Sequence, residues 1–211
     1  MGPLSSSTVP VVPARVGRPA SRADSDVLAA LLADAFFDDP LTRWITPDDG
    51  RRAAVLPDFF RVFLSMSFAF DAVRTTAGRD AVMTFLPPGG WEEVERHGDA
   101  YGQQFARVLG EDAARLAEIT ALQAAHHPVG RPHYYLAFGA VSPRARGAGV
   151  LSSLVGEVTS WADAQGVGVY TEASSPGGRA ACLRHGFTPA GPALTLGDGG
   201  PSLEPLWRDP R

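Results

Sequence analysis

Apolar residues recur at Val27, Leu28, Leu31, Leu32, Ala35 and Phe36, the rhythm of a helix with one buried face. Ser21-Arg-Ala-Asp24 just ahead has the spacing of a capping box, and the Asp-Asp-Pro at 38–40 predicts the stop. Val55, Leu56, Phe59, Phe60, Val62 and Phe63 form a wider apolar face and predict a second helix over 51–66. The pattern then shortens. Residues 71–90 read as two strands joined at Gly78-Arg79-Asp80 and ended by Pro87-Pro-Gly-Gly90, a hairpin. From Trp91 to His126 the period is helical again, with a break near Gly110. Ahead of all this, Val11–Val16 predicts a short strand that Pro13 confines to a sheet edge.

The second half carries two runs too apolar for a half-exposed strand, HYYLAFGAV at 133–141 and VGVYTEAS at 167–174. Both predict buried strands. An amphipathic helix over 151–165 joins them. A short helix near 179–185 follows, then a tail of short, turn-rich β segments. The order is β-α-α-β-β, a helical middle, then β-α-β-α-β. No repeat or long linker divides it, so the expectation is one mixed α/β domain over residues 11–211 behind a tail of residues 1–10.

Composition narrows the chemistry. The chain has 211 residues, 45% hydrophobic, with a formal charge of -4, and no basic stripe of the kind a duplex nucleic-acid binder displays. All 19 basic residues are arginine, which excludes a Walker-A lysine and a Schiff-base lysine. The lone Cys182 excludes an intrachain disulfide and a cysteine-rich zinc site. His126, His127 and His133 lack helical ligand spacing, and no metal is expected. No apolar run approaches the roughly 20 residues of a membrane span, and the start of the chain lacks a signal-peptide pattern. The expectation is a soluble cytoplasmic protein.

Between the first buried strand and its helix lies SPRARGAGV, residues 142–150. Amide groups at a helix start, with the helix dipole behind them, hold phosphate well. Gly147 and Gly149 permit close approach and unusual dihedrals, while Arg144 and Arg146 add forked cationic donors. The segment suits a pyrophosphate. A dinucleotide fingerprint would need glycine where Ser152 stands, and too little chain follows for a nucleotide domain. A plain strand-to-helix turn is the alternative reading of the loop taken alone.

With its surroundings the loop says more. Arg-x-x-Gly-x-Gly at 144–149, preceded by AVSP and followed by TEASSPGG and CLRHGF, resembles the GCN5-related N-acetyltransferase family. HHPVGRPHYYLAFGAVSP and AFFDDPLTRWITPDD are further similar to its puromycin N-acetyltransferase-like subgroup. The likeness covers most of residues 11–192. It implies a central mixed, twisted sheet flanked by helices, with a splayed strand pair that admits acetyl-coenzyme A. The implied coenzyme seat runs through Ala140, Val141, Ser142, Arg144, Ala145, Arg146, Gly147, Ala148, Gly149 and Val150, joined by Gly178 where the subgroup has asparagine. The implied reaction is acetyl transfer to the primary amine of a small molecule. An aminonucleoside antibiotic or other secondary metabolite is the implied acceptor, and the chain is expected to act as monomer or homodimer. A non-catalytic acyl-CoA-binding module and a protein-amine acetyltransferase are the alternatives.

Acetyl transfer needs an unprotonated amine, a proton acceptor and stabilisation of the departing thiolate. Glu172 occupies the place of the subgroup's glutamate and is the candidate base; the alternative is a glutamate satisfied in a structural network. Cys182 stands where the family places a thiolate-reprotonating tyrosine, as either a substitute acid or a buried packing residue. Phe36, Phe37, Asp38, Asp39 and Trp44 fall where the family forms an acceptor wall, with a core aromatic pair and solvated aspartates as the alternative. Strand alternation aims Tyr135 into the cleft and Tyr134 away from it.

Overall fold

A computed structural model describes residues 17–197 and 199–211; the strand expected at 11–16 lies outside them. The sheet edge is instead β1 (Arg18–Pro19). Ser21 and Asp24 do form the capping box, and the Asp24 carboxylate also takes a forked bond from Arg18 at 2.9 and 3.0 Å. That guanidinium holds the Asp24 carboxyl well below the usual carboxylate range. Helix α1 (Ser25–Phe36) follows.

The Asp-Asp-Pro that stops α1 also starts a helix missing from the sequence reading, α2 (Pro40–Ile45). Asp39 caps it by accepting from the Leu41 amide, and Pro40 sits in its first turn, where a missing N–H is harmless. Helix α3 (Asp49–Phe68) outruns its predicted limits at both ends, because Asp48 caps it through the Arg51 amide. The hairpin is β2 (Val73–Thr75) and β3 (Ala81–Leu86). The helical middle divides into α4 (Gly90–Arg96), α5 (Gly98–Leu109) and α6 (Ala113–His126). The expected break falls at Gly110, at φ 59°, and an unpredicted one at His97-Gly98.

The buried strands are β4 (His133–Val141) and β5 (Gly168–Ala173), with α7 (Val150–Gln165) between them. Helix α8 (Pro176–Arg184) begins earlier than predicted, capped by Ser175. The tail supplies β6 (Thr188–Pro189), β7 (Leu194–Thr195) and a longer β8 (Ser202–Arg208). The sheet order is β1-β2-β3-β4-β5-β8-β6, with β7 on β8. Among the described residues only β4 and β5 pair in parallel.

Two irregularities position the site. Against β3, Phe138 pairs with Thr84 and Leu136 with Phe85, so Ala137 is an extra residue, a bulge. It reverses the alternation of β4. Before it, Tyr134 and Leu136 pack toward Leu154, Val158 and Ala162 of α7. Beyond it, Phe138 and Ala140 join Leu28, Leu32, Phe60 and Leu64 of α1 and α3. The second irregularity is a parting of strands. β4 pairs with β5 only through His133, Tyr134 and Tyr135. Thr171 Oγ1 then donates to the Leu136 carbonyl at 2.8 Å. Past that link β5 stays with β8 through Ala173 while β4, still paired with β3, leads away toward the glycine loop.

Candidate active site

The glycine loop stands at the wide end of this gap. Pro143–Ala145 make a single tight turn, and Gly147 and Gly149 follow at φ 77° and 69°, a region that favours glycine. No atom lies within 4 Å of where a Cβ would stand on either one. Gly149 caps α7, and the Ser153 amide bonds back to the Gly149 carbonyl at 2.9 Å. The amides of that first turn therefore have no partner in the helix. Arg144 and Arg146 are exposed, and Ser142 Oγ is buried without a hydrogen-bond partner among the described residues. Ala140 and Val141 pair with Val82 and Ala81 of β3, leaving their other edge to the gap. These features fit a pyrophosphate and a pantetheine arm: open amides, an uncrowded cradle, exposed cations and a free strand edge.

At the closed end of the gap sits Glu172. Its Oε2 accepts from the Tyr135 hydroxyl at 2.8 Å and from Gln123 Nε2 at 3.0 Å. Gln123 Nε2 also donates to the Tyr135 oxygen at 3.2 Å. Glu172 Oε1 is buried with no hydrogen-bond partner among the described residues. Burial raises the carboxyl above its ordinary range, and the Tyr135 and Gln123 donors, with the Tyr170 hydroxyl close by, pull it part of the way back. The Tyr170 hydroxyl is near enough to feel the carboxylate yet makes no well-formed hydrogen bond. Burial, then the Glu172 charge, push both tyrosines up, so they stay protonated.

Tyr135 does face Glu172, and Tyr134 turns the other way, its hydroxyl accepting from Gln165 at 2.7 Å. Behind Tyr135 lies an aromatic wall. Trp91 stacks on His127 with ring centres 3.8 Å apart, and both meet Tyr135 edge-on. His133 Nδ1 donates to the Arg131 carbonyl at 2.6 Å, so its Nε2 accepts from His127 Nε2 at 3.0 Å. Burial foremost, with His133 adding, brings His127 down to about 3. A cleft of about 370 Å³ lined by Trp91, Glu92, Arg131, His133 and Tyr135 opens beside this wall. Among the described residues no cluster of three or more His, Cys, Asp or Glu could hold a metal ion.

The expected acceptor wall divides. Phe36 sits among Phe60 and Phe138, with ring centres 5.5 Å away in each case. Phe37 covers the Arg52 guanidinium at 4.4 Å. Trp44 is half-buried, with Arg115 5.8 Å over its ring. Asp38 is exposed and pairs with Arg43. Asp39 reaches the site: its Oδ2 accepts from Ser174 Oγ at 2.6 Å. Ser174 is the first residue past β5 and stands two positions beyond Glu172. Burial raises the Asp39 carboxyl, with Ser174 and the Leu41 amide opposing.

Cys182 lies in α8 and packs against the α7 side of the sheet; burial pushes its thiol up. Gly178 is exposed, and its amide donates to the Ser175 cap at 3.3 Å. The sequence reading missed Gln123, Ser174 and Tyr170. Gln123 had a signal: Leu116, Ile119 and Gln123 follow the helical period, and the two apolar residues are buried. A glutamine on a buried face needs a polar partner.

Scanned against protein-family models the sequence matches none, and a search of curated proteins likewise finds no match. Solved structures do match. A Corynebacterium glutamicum protein, named histone acetyltransferase HPA2 and related acetyltransferase, superposes with a TM-score of 0.67 at 25% identity, covering 93% of this chain and 96% of that one. The polyamine N-acetyltransferase of Drosophila melanogaster gives 0.64 at 17% identity, covering 92% and 99%. An agmatine N-acetyltransferase gives 0.64 at 16%, covering 92% and 98%. The fold is that of an acetyltransferase. More narrowly, it is the GCN5-related N-acetyltransferase fold, and the likeness does not narrow to the puromycin-type subgroup.

Proposed function

We propose that this chain transfers an acetyl group from acetyl-coenzyme A to the primary amine of a small molecule, with Glu172 as general base. One observation carries the reading. A single gap between β4 and β5 has a glycine-led helix start with unpaired amides at one end and a buried carboxylate with an unpartnered oxygen at the other. When bound, the coenzyme supplies an activated acyl carbon. The protein's part is to hold the diphosphate on the amides of Gly147 and of Gly149 to Ser152, with Arg144 and Arg146 neutralising charge. The free edge of β4 orients the arm. Glu172 takes the proton of the attacking amine, directly or through water. Solvent supplies the proton of the leaving thiolate: Cys182, in the place of the family's acid, packs on the α7 side of the sheet, and burial raises its thiol, which weakens it as an acid.

Asp39 and Glu172 on one side of the gap favour a cationic amine as acceptor, the chemistry also present in the agmatine and polyamine named above. The aminonucleoside or secondary-metabolite class rests on sequence likeness alone. Coenzyme release, followed with a thiol reagent across a panel of small amines, tests the reading. Glu172→Gln is expected to cut turnover at least tenfold without changing coenzyme affinity. In the native protein the rate should fall as pH drops through the raised Glu172 value, because protonation removes the base. No calorimetric response to any acyl-CoA would overturn the coenzyme assignment. A Glu172→Gln variant as fast as the native protein at every pH would remove the base.

A further inference from the structure

We propose that Gln123 is a positioning residue that, with Tyr135, fixes the Glu172 carboxylate so that Oε1 is the oxygen that takes the proton. The inference rests on the reading of Glu172 as base. Three hydrogen bonds close a ring: Gln123 to Tyr135 at 3.2 Å, Gln123 to Glu172 Oε2 at 3.0 Å, and Tyr135 to the same Oε2 at 2.8 Å. Both amide hydrogens of Gln123 are committed. The opposite amide orientation would set oxygen against carboxylate with only one tyrosine proton to share, so the chemistry dictates this one. With two donors on Oε2, the unused acceptor capacity lies on Oε1, which is buried and unpartnered.

The ring also balances the charge. A carboxylate this deep resists ionisation, and each donor to its ionised form opposes that resistance. Each packed element contributes to the surroundings. Tyr135 faces it from β4 and Tyr170 from β5, and His127 at the end of α6 touches both rings. Asp39 approaches through Ser174, and β8 opposes Glu172 with the uncharged Pro205. Only Gln123 and Tyr135 donate to Oε2.

The test is the pH dependence of kcat in the full chain for Gln123→Leu and, separately, Tyr135→Phe. Removing either donor should move the acid limb upward by about one unit, so that turnover at pH values below the limb falls about tenfold. Turnover on the alkaline plateau should fall less than threefold, with KM for acetyl-coenzyme A unchanged. Gln123→Glu should not rescue, since it sets a second carboxylate against the first. An unshifted acid limb in both variants, or a loss equal at every pH, overturns the positioning role. If Gln123→Leu melts early, the Tyr135→Phe profile decides alone. Should Glu172→Gln itself leave the rate untouched, the base assignment falls and this role with it. A slow Glu172→Gln beside unshifted donor variants would remove the positioning role only.

Discussion

The two ends of the β4–β5 gap are made of different material. The glycine-loop end is main chain: exposed amides of one continuous segment, two glycines at positive φ, and two arginines in solvent. The carboxylate end is side chain. Glu172, Tyr135, Gln123, Ser174 and Asp39 come from β5, β4, α6, the end of β5 and the corner between α1 and α2. A main-chain site needs only local dihedrals and room, so substitutions there block ligands and leave the fold alone. A buried side-chain network is wired into the packing of every element that contributes to it, and damage reaches stability as well as chemistry.

That contrast explains what could be read in advance. The loop is nine adjacent residues, and its spacing announces a strand, a turn and a helix start. The buried strands 133–141 and 167–174, the capping box and the helix periods are local signals too, and each corresponds to an element. Gln123 stands 49 residues from Glu172, and no local rule links them; only the packing of α6 over β4 and β5 does. The bulge at Ala137 was invisible for the same reason, since it exists only relative to β3. Helix α2 is a different failure. Asp39-Pro40 both stops one helix and starts the next, and the stop hid the start.

The largest effect should come from filling the main-chain end. Gly147→Trp places an indole where no atom now lies within 4 Å and asks a bulky residue to hold φ 77°. Affinity for acetyl-coenzyme A, measured calorimetrically, should fall at least a hundredfold. The backbone strain should reduce stability by only about 1–2 kcal/mol. Unaltered affinity would take the loop out of binding, and outright unfolding would break the distinction between the two ends.

Next is a substitution behind the side-chain end. Arg52 is fully buried and donates to the carbonyls of Phe37 and Thr46 at 2.8 Å and of Pro47 at 3.0 Å, with Asp49 as its counter-charge. It pins the corner that carries Asp39. Arg52→Leu leaves those acceptors buried and unpaired, so chemical denaturation should report a loss of about 3–5 kcal/mol. Coenzyme affinity of the folded fraction should not change, which is the mirror image of Gly147→Trp. A loss below about 1 kcal/mol would mean that the corner is held by packing alone.

The smallest effect is expected at Cys182, which belongs to neither end. Its side chain packs on the α7 side of the sheet with Phe187 and Leu206 nearby in the same cluster, while Glu172 and its donors lie on the opposite face. Truncation to alanine removes one sulfur from a half-buried position, so stability should fall by about 1 kcal/mol or less. Turnover separates the roles left open by the sequence. If the thiol protonates the leaving group, Cys182→Ala lowers kcat with little change in KM, and Cys182→Ser partly restores it, since a hydroxyl can still donate. If packing is its whole role, both variants turn over at the native rate and only the melting temperature moves. We expect the second outcome: strand alternation carries Glu172 to one face of the sheet, and α8 packs Cys182 against the other.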